Sequence, residues 1–214
     1  MMTPRIFIAG TDTDIGKTFI SALLVKKWAF DYWKPIQTGL EEDQGDTKTV
    51  VDLLNQCGGV PEQSTIFEPA LTYMKPLSPW RCTVLENREA IDVQGIAVPS
   101  TDQKTLSNGM IIEGAGGLLV PIGKGTFTTD LIKQLDASVI LIARSELGTL
   151  NHTLMSIEIL KQNGIPIHGV VLNGRLNKDN KLALSELGVK ILAEVPTVES
   201  LDHAIDLVPD FNML

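Results

Sequence analysis

Five runs of strand length, each almost continuously apolar, recur along the chain: RIFIAG (5–10), GMIIEG (109–114), SVILIA (138–143), HGVVLN (168–173) and VKILAEV (189–195). A strand with one wet face alternates apolar and polar residues, whereas a strand covered on both faces does not. These runs therefore predict a parallel sheet with helices packed on both sides. Apolar residues at three- and four-residue spacing predict those helices near 17–28, 46–56, 128–136, 150–163 and 178–187. The expected fold is α/β, a doubly wound and mostly parallel sheet. FDYWKP (30–35) reads as a further short strand ended by Pro35. Between 57 and 108, Gly58, Gly59, Pro61, Pro69, Pro76, Pro79 and Pro99 interrupt any long element, so loops and one or two short helices are expected there.

The length of 214 residues suits a single domain over 1–214 with room for a sizeable core. No segment approaches the roughly 18 uninterrupted apolar residues of a membrane span. The opening MMTPRIFIAGT has too short an apolar run for a signal peptide and leads directly into a candidate binding loop, so a cytoplasmic protein is expected. A formal charge of −8 argues against broad electrostatic attraction to nucleic acid or an anionic membrane. Any phosphate must then be bound locally. Cys57 and Cys82 are too few and too far apart for a zinc cluster or a redox pair, and read as ordinary thiols.

In an open α/β sheet ligands gather at the carboxyl ends of the strands. After the first run come Gly10, five residues, and then Gly16-Lys17-Thr18 opening a helix. A phosphate-binding P-loop has four residues between its glycines, so the count departs by one. The physical core survives: a strand, a tight turn, a glycine permitting close approach, and a lysine at a helix N-terminus whose free N–H groups attract anions. Lys17 is expected to bridge phosphates and the Thr18 hydroxyl to ligate Mg²⁺. The plainer alternative is a helix capped by Thr13 or Asp14 with a solvated lysine.

IIEGAGG (111–117) ends a strand with Glu113, whose buried charge needs a metal or a paired cation. KPIQTG (34–39) places Lys34 and Thr38 at the rim of the second strand, suited to a transferring phosphoryl or carboxylate group; a surface lysine is the alternative. Asp46, in QGDTK, stands at a helix start and reads equally as an N-cap. ELGTLNHTL (146–154) offers the N–H groups of Gly148, Thr149, Leu150 and Asn151 to a carboxylate, while His152 reads as structural. Asn173 ends the VVLN run, and its amide can both donate and accept, as adenine's N6 and N7 require; a turn asparagine is the alternative.

The series GTDTDIGKT, KPIQTG, GD, LSP, EGAGG, GTLNH, LN and EVP, in that order and over most of the chain, resembles the dethiobiotin synthetases. That resemblance implies a P-loop NTPase-type fold and an ATP- and Mg²⁺-dependent ring closure of 7,8-diaminononanoate with CO₂ to dethiobiotin, ADP and phosphate. It places Lys17 and Thr13 at the phosphates and reacting group, and the nucleotide along Asp14, Ile15, Gly16, Lys17, Thr18 and Phe19. Asn173 and Pro196 would take the adenine. Thr18, Asp46 and Glu113 would surround Mg²⁺, and Lys34 and Thr38 would grip the substrate's carbamate. The helix start at Gly148–Asn151 would hold the substrate carboxylate from a partner subunit, which implies a homodimer. Asp14 is expected to face the metal and amine side, with helix capping as its alternative, while Asp12 stabilises the loop.

Three departures from the family pattern carry expectations of their own. The stretch from Lys17 to Lys34 is short, which predicts a clipped first helix or a displaced second strand. LSPW stands where SPH is frequent, putting Trp80 on the substrate pocket wall. Residues 92–108 read as less helical. Two other functions share the fold: a partitioning-type ATPase switch, which carries an extra loop lysine where this chain has Thr11-Asp12-Thr13, and another small-molecule ligase or kinase.

Overall fold

The computed structural model describes residues 3–100 and 109–214. In chain order its elements are β1 (Arg5–Gly10), α1 (Lys17–Trp28), β2 (Asp31–Trp33), β3 (Ile36–Gln37), α2 (Asp46–Gln56), β4 (Ile66–Phe67), β5 (Leu71–Thr72) and α3 (Pro79–Leu85). There follow β6 (Met110–Gly117), β7 (Pro121–Gly123), β8 (Thr126–Phe127), α4 (Thr128–Gln134), β9 (Ser138–Arg144), α5 (Thr149–Gln162), β10 (Ile167–Asn173), α6 (Lys178–Glu186) and β11 (Ile191–Val195), with short 3₁₀ turns at Val93–Gly95 and over the last fourteen residues. Seven strands form one sheet in the order β11-β10-β9-β1-β6-β2-β4, and every pairing in it is parallel. The expected doubly wound α/β fold is what the chain adopts.

Successive strand residues point to opposite faces, and the packing follows that period of two. Ile6 and Ile8 join one core with Ile20, Leu23 and Leu24 of α1 and Val50 and Leu54 of α2. Phe7 and Ala9 join the other with Ile132 of α4, Leu160 of α5 and Leu184 of α6. Each fully buried Ile or Leu is worth about 1.5–3 kcal/mol relative to exposure, so both faces of β1 must be covered. Helix α1 is itself enclosed: the C-terminal turns lie over it, with Trp28 Nε1 donating to Pro209 O at 2.9 Å and Phe211 within 5.5 Å of both Trp28 and Phe30. Among the described residues no helix is long and apolar enough to cross a membrane.

The helices at 17–28 and 46–56 match their expected bounds, and the other three end within two residues of them. The short stretch after Lys17 leaves α1 at twelve residues. β2 pairs in register beside β6, Asp31 opposite Met110, and α1 ends because Ala29 turns left-handed at φ 52°. Three features differ from expectation. β6 runs on through Gly117, so Glu113 stands within the strand and not at its end, because the glycines after it still pair. The last strand begins at Ile191 instead of 189, since Val189 N is spent closing α6 on Leu184 O. Residues 57–108 hold α3, as foreseen, and also β4 and β5, two-residue strands too short to leave any periodicity. Of the reading for 92–108, residues 101–108 lie outside those described, and 93–95 form only a 3₁₀ turn.

Candidate active site

β1 lies inside the sheet with β6 on one side and β9 on the other, so connections diverge around its carboxyl end and leave a crevice there. The β1–β6 register slips between Ile8 and Gly10, so Ile8 faces Glu113 while Gly10 faces Gly117. A cavity of about 830 Å³ occupies this end of the sheet. Thr13, Asp14, Gly16, Lys17, Thr18, Lys34, Thr38, Asp46 and Glu113 all line it. These predicted residues come from four separate segments of sequence, and the fold brings them to one chamber.

The loop 10–16 is held from both sides. Lys17 Nζ donates to Asp12 O at 3.0 Å, Thr13 N to Asp12 Oδ1 at 2.8 Å, and the Arg144 guanidinium reaches Asp12 Oδ2 at 3.3 Å and Thr13 O at 3.4 Å. Asn173 Nδ2 donates to Ile15 O at 2.8 Å. Gly16, at φ 88°, caps α1, and among the described residues no side-chain hydrogen bond caps that end of the helix. The alternative of a helix capped by Thr13 or Asp14 is therefore not what forms. The first turn instead presents unoccupied backbone donors toward the cavity, the arrangement that attracts anions. A Cβ at Gly16 would lie 2.1 Å from Asn173 Nδ2, so the loop and β10 meet too closely for any side chain.

Beside the loop stand two lysines and two acids. Lys34 is 3% exposed and Glu113 1%. Lys34 Nζ lies 2.5 Å from Asp46 Oδ2 and 3.3 Å from Glu113 Oε1. Tyr32 OH donates to the other carboxylate oxygen of Glu113 at 3.0 Å. Burial acts most strongly against the charge on Lys34, but Glu113 and Asp46 outweigh it and lift its pKa above the usual 10.5. Burial also opposes the charge on Asp46, yet the ammonium of Lys34, with the Thr18 hydroxyl and Lys17, holds its carboxyl below the ordinary value. Lys17 moves the other way: burial, then the positive charge of Lys34, lowers it despite Glu113, Asp46 and Asp14. Burial and the two carboxylates push Tyr32 well up, so it stays a donor.

Thr18 Oγ1 lies 2.9 Å from Asp46 Oδ1 and 2.8 Å from Glu113 Oε1. One hydroxyl proton cannot serve both carboxylates at once. Neighbouring ligands on an octahedral Mg²⁺ sit about 2.9 Å apart, and the Thr18 hydroxyl stands at that spacing from each carboxylate oxygen. No cluster of three His, Cys, Asp or Glu forms among the described residues. A metal here would take the rest of its shell from water and ligand oxygens, as Mg²⁺ prefers.

Other predicted residues lie off the cavity. Ile15 and Phe19 turn their side chains to the core that covers α1. Asn173 ends β10 and Pro196 directly follows the neighbouring β11, and Gly174 N bonds Val195 O at 2.9 Å between them. At the start of α5 Gly148 and Asn151 are exposed and Thr149 is buried, beside Leu147, which is 97% exposed. Trp80 does not reach the wall; Pro76, Leu77, Ser78 and Pro79 form it instead. The cause is α3, which starts at Pro79 and carries Trp80 away from the cavity. Cys57 and Cys82 are free and buried. Sequence reasoning missed Tyr32 and Gln37, although both flank Lys34 in FDYWKPIQTG and only their contacts mark them out.

Fold and site together define a parallel α/β nucleotide-binding protein of the P-loop type. A family model described as an AAA domain matches residues 4–204. The chain is 38% identical over 200 residues to the ATP-dependent dethiobiotin synthetase BioD of Paramagnetospirillum magneticum, covering 93% of this chain and 91% of that protein. It belongs to the dethiobiotin synthetase family. It is also 42% identical over 207 residues to the biotin biosynthesis bifunctional protein BioCD of Bordetella avium, of whose length it spans 42%. Among solved structures, the septum site-determining protein MinD of Pyrococcus horikoshii, complexed with Mg-ADP, superposes with a TM-score of 0.58 at 17% identity, over 97% of this chain and 87% of that one. The cell division protein FtsY of Thermotoga maritima does so at 0.53 and 13%, over 97% and 65%. At such identities these two share the fold alone.

Proposed function

We propose that residues 1–214 act as one ATP- and Mg²⁺-dependent ligase unit that carboxylates 7,8-diaminononanoate and closes it to dethiobiotin, in the cytoplasm and as a homodimer. The observation that carries this reading is the convergence of Lys17, Thr18, Lys34, Asp46 and Glu113 on one cavity, in a chain 38% identical to a dethiobiotin synthetase.

One amine of the substrate adds to CO₂ and loses a proton, giving a carbamate. A carbamate oxygen then takes the γ-phosphoryl group of ATP, releasing ADP, and the second amine attacks the resulting mixed anhydride to expel phosphate and close the ureido ring. Proton count and charge balance without a protein nucleophile. The protein's task is to position anions and offset their charge. The α1 N–H groups and Lys17 hold the phosphates, with Thr13 at the reacting end. Lys34 and Thr38 hold the carbamate, which places the second ammonium opposite the first across the transferring group. Thr18, Asp46 and Glu113 would hold Mg²⁺, which would supply positive charge beside the phosphate oxygens. Asp14, on the cavity wall, faces the amines. The main chain at Ile15 and Phe19, whose side chains face the core, with Asn173 and Pro196, bounds the remainder of the nucleotide, and Gly148–Asn151 of a partner subunit take the substrate carboxylate on helix N–H groups.

The test is an ATPase assay with product mass analysis. Hydrolysis that requires both 7,8-diaminononanoate and bicarbonate, with a cyclic urea as product, is the expected result; hydrolysis indifferent to either substrate overturns the reading.

A further inference from the structure

Gln37, the last residue of β3, is 5% exposed and makes two side-chain hydrogen bonds. Its Oε1 accepts from Asp46 N at 2.9 Å, and its Nε2 donates to Thr38 O at 2.7 Å. The first bond meets a specific need. Helix α2 begins with Gly45 at φ 85° and has no side-chain cap of its own, so the leading N–H groups of that helix must find partners elsewhere. Gln37 supplies one from another element, at the residue whose carboxylate spans Thr18 and Lys34. Gly45 is built to allow it: a Cβ there would stand 3.3 Å from Gln37 Cδ. The main chain of Gln37 is fixed in turn, since its carbonyl accepts from Tyr73 N at 2.8 Å as β3 pairs with β5.

We infer that Gln37 is a positioning residue that couples the metal-binding end of the cavity to the loop carrying Thr38. β3, paired with β5, carries the amide. The amide fixes the start of α2, and with it the direction of the Asp46 carboxylate, while its other end fixes the peptide of Thr38. A group that orients a metal ligand commonly changes metal affinity ten- to a hundredfold when removed, although it never touches the ion. This inference rests on the reading of Asp46 as a Mg²⁺ ligand given above.

The experiment measures, by calorimetry, the factor by which MgCl₂ tightens binding of the non-hydrolysable ATP analogue AMPPNP, compared with EDTA. Gln37→Met keeps the buried volume without either bond, and Gln37→Asn keeps an amide one methylene too short to span both partners. Each is expected to reduce the factor about tenfold. Asp46→Asn should remove most of it, and adding Gln37→Met to Asp46→Asn should reduce it no further, as expected of two residues acting through one contact. A factor within twofold of the wild type in Gln37→Asn or Gln37→Met, or multiplicative losses in the double variant, overturns the role of Gln37. A wild-type factor that Asp46→Asn leaves intact overturns the metal assignment instead, so the two failures are distinct.

Discussion

The ammonium of Lys34 stands 2.5 Å from the carboxylate of Asp46, inside a cavity wall where Lys34 itself is almost fully enclosed. Glu113 lies on its other side, at 3.3 Å. Two acids assigned to a metal thus share one organic cation, and the second negative charge is left for Lys17 to offset within the chain.

Replacing that cation by a neutral group of similar length should expose the imbalance. Lys34→Met leaves Asp46 and Glu113 facing each other across Thr18, and is expected to cost about 3 kcal/mol in urea unfolding, the usual penalty for breaking a buried pair. MgCl₂ should restore much of that loss, since an ion bound only by the folded form stabilises it by mass action. The same salt should stabilise the wild type less, and an equal response in both proteins would contradict the pairing.

The contact between Gly16 and Asn173 makes a second prediction. Gly16→Ala forces a Cβ within 2.1 Å of Asn173 Nδ2 at a left-handed φ of 88°. AMPPNP affinity is expected to fall about a hundredfold or more, because the strained loop can no longer aim its N–H groups. Adding Asn173→Ala removes the collision but not the strain, so calorimetry should find only partial recovery.

A third concerns acid. His168 on β10 bonds Ser138 Oγ at 2.7 Å, and burial, then the charge of Lys190, lowers its pKa below the usual 6.5. The unfolded chain therefore takes up a proton first as the pH falls. The stability this group contributes is complete above 6.5 and is lost as the pH drops toward the lower folded value. His168→Gln, neutral throughout, should flatten the dependence of the urea midpoint on pH between about 7 and 5. An unchanged slope would contradict the shift.

How much of this could be read from sequence depends on the kind of signal. Strands covered on both faces leave unbroken apolar runs, so β1, β6, β9 and β10 are legible. Lys17, Thr18 and Glu113 are legible too, because each ends a run or opens a helix where ligands collect. β4 and β5 have two residues each, too few for any period. Tyr32 and Gln37 escape for another reason: their importance lies in partners 81 and 9 residues away, and nothing local records such a contact. Trp80 errs in the opposite sense, since a motif fixes which residues occur but not that α3 turns one of them outward.

The exposed start of α5 gives a fourth prediction. Asn151→Asp places a negative charge where the partner's substrate carboxylate is expected, and suits the helix itself. Mixed with Lys17→Gln, each variant inactive alone, it should regain about a quarter of the wild-type rate after subunit exchange, because one hybrid dimer site is then intact. No recovery on mixing, with exchange demonstrated, would show that the site does not cross subunits.

The most direct measurement of the central claim, that two lysines bring a carbamate to the γ-phosphoryl group, follows oxygen. With ¹⁸O-labelled bicarbonate, ATP and 7,8-diaminononanoate, the account predicts that the phosphate released carries one labelled oxygen, passed on from the carbamate. Phosphate whose new oxygen comes from water alone would contradict it.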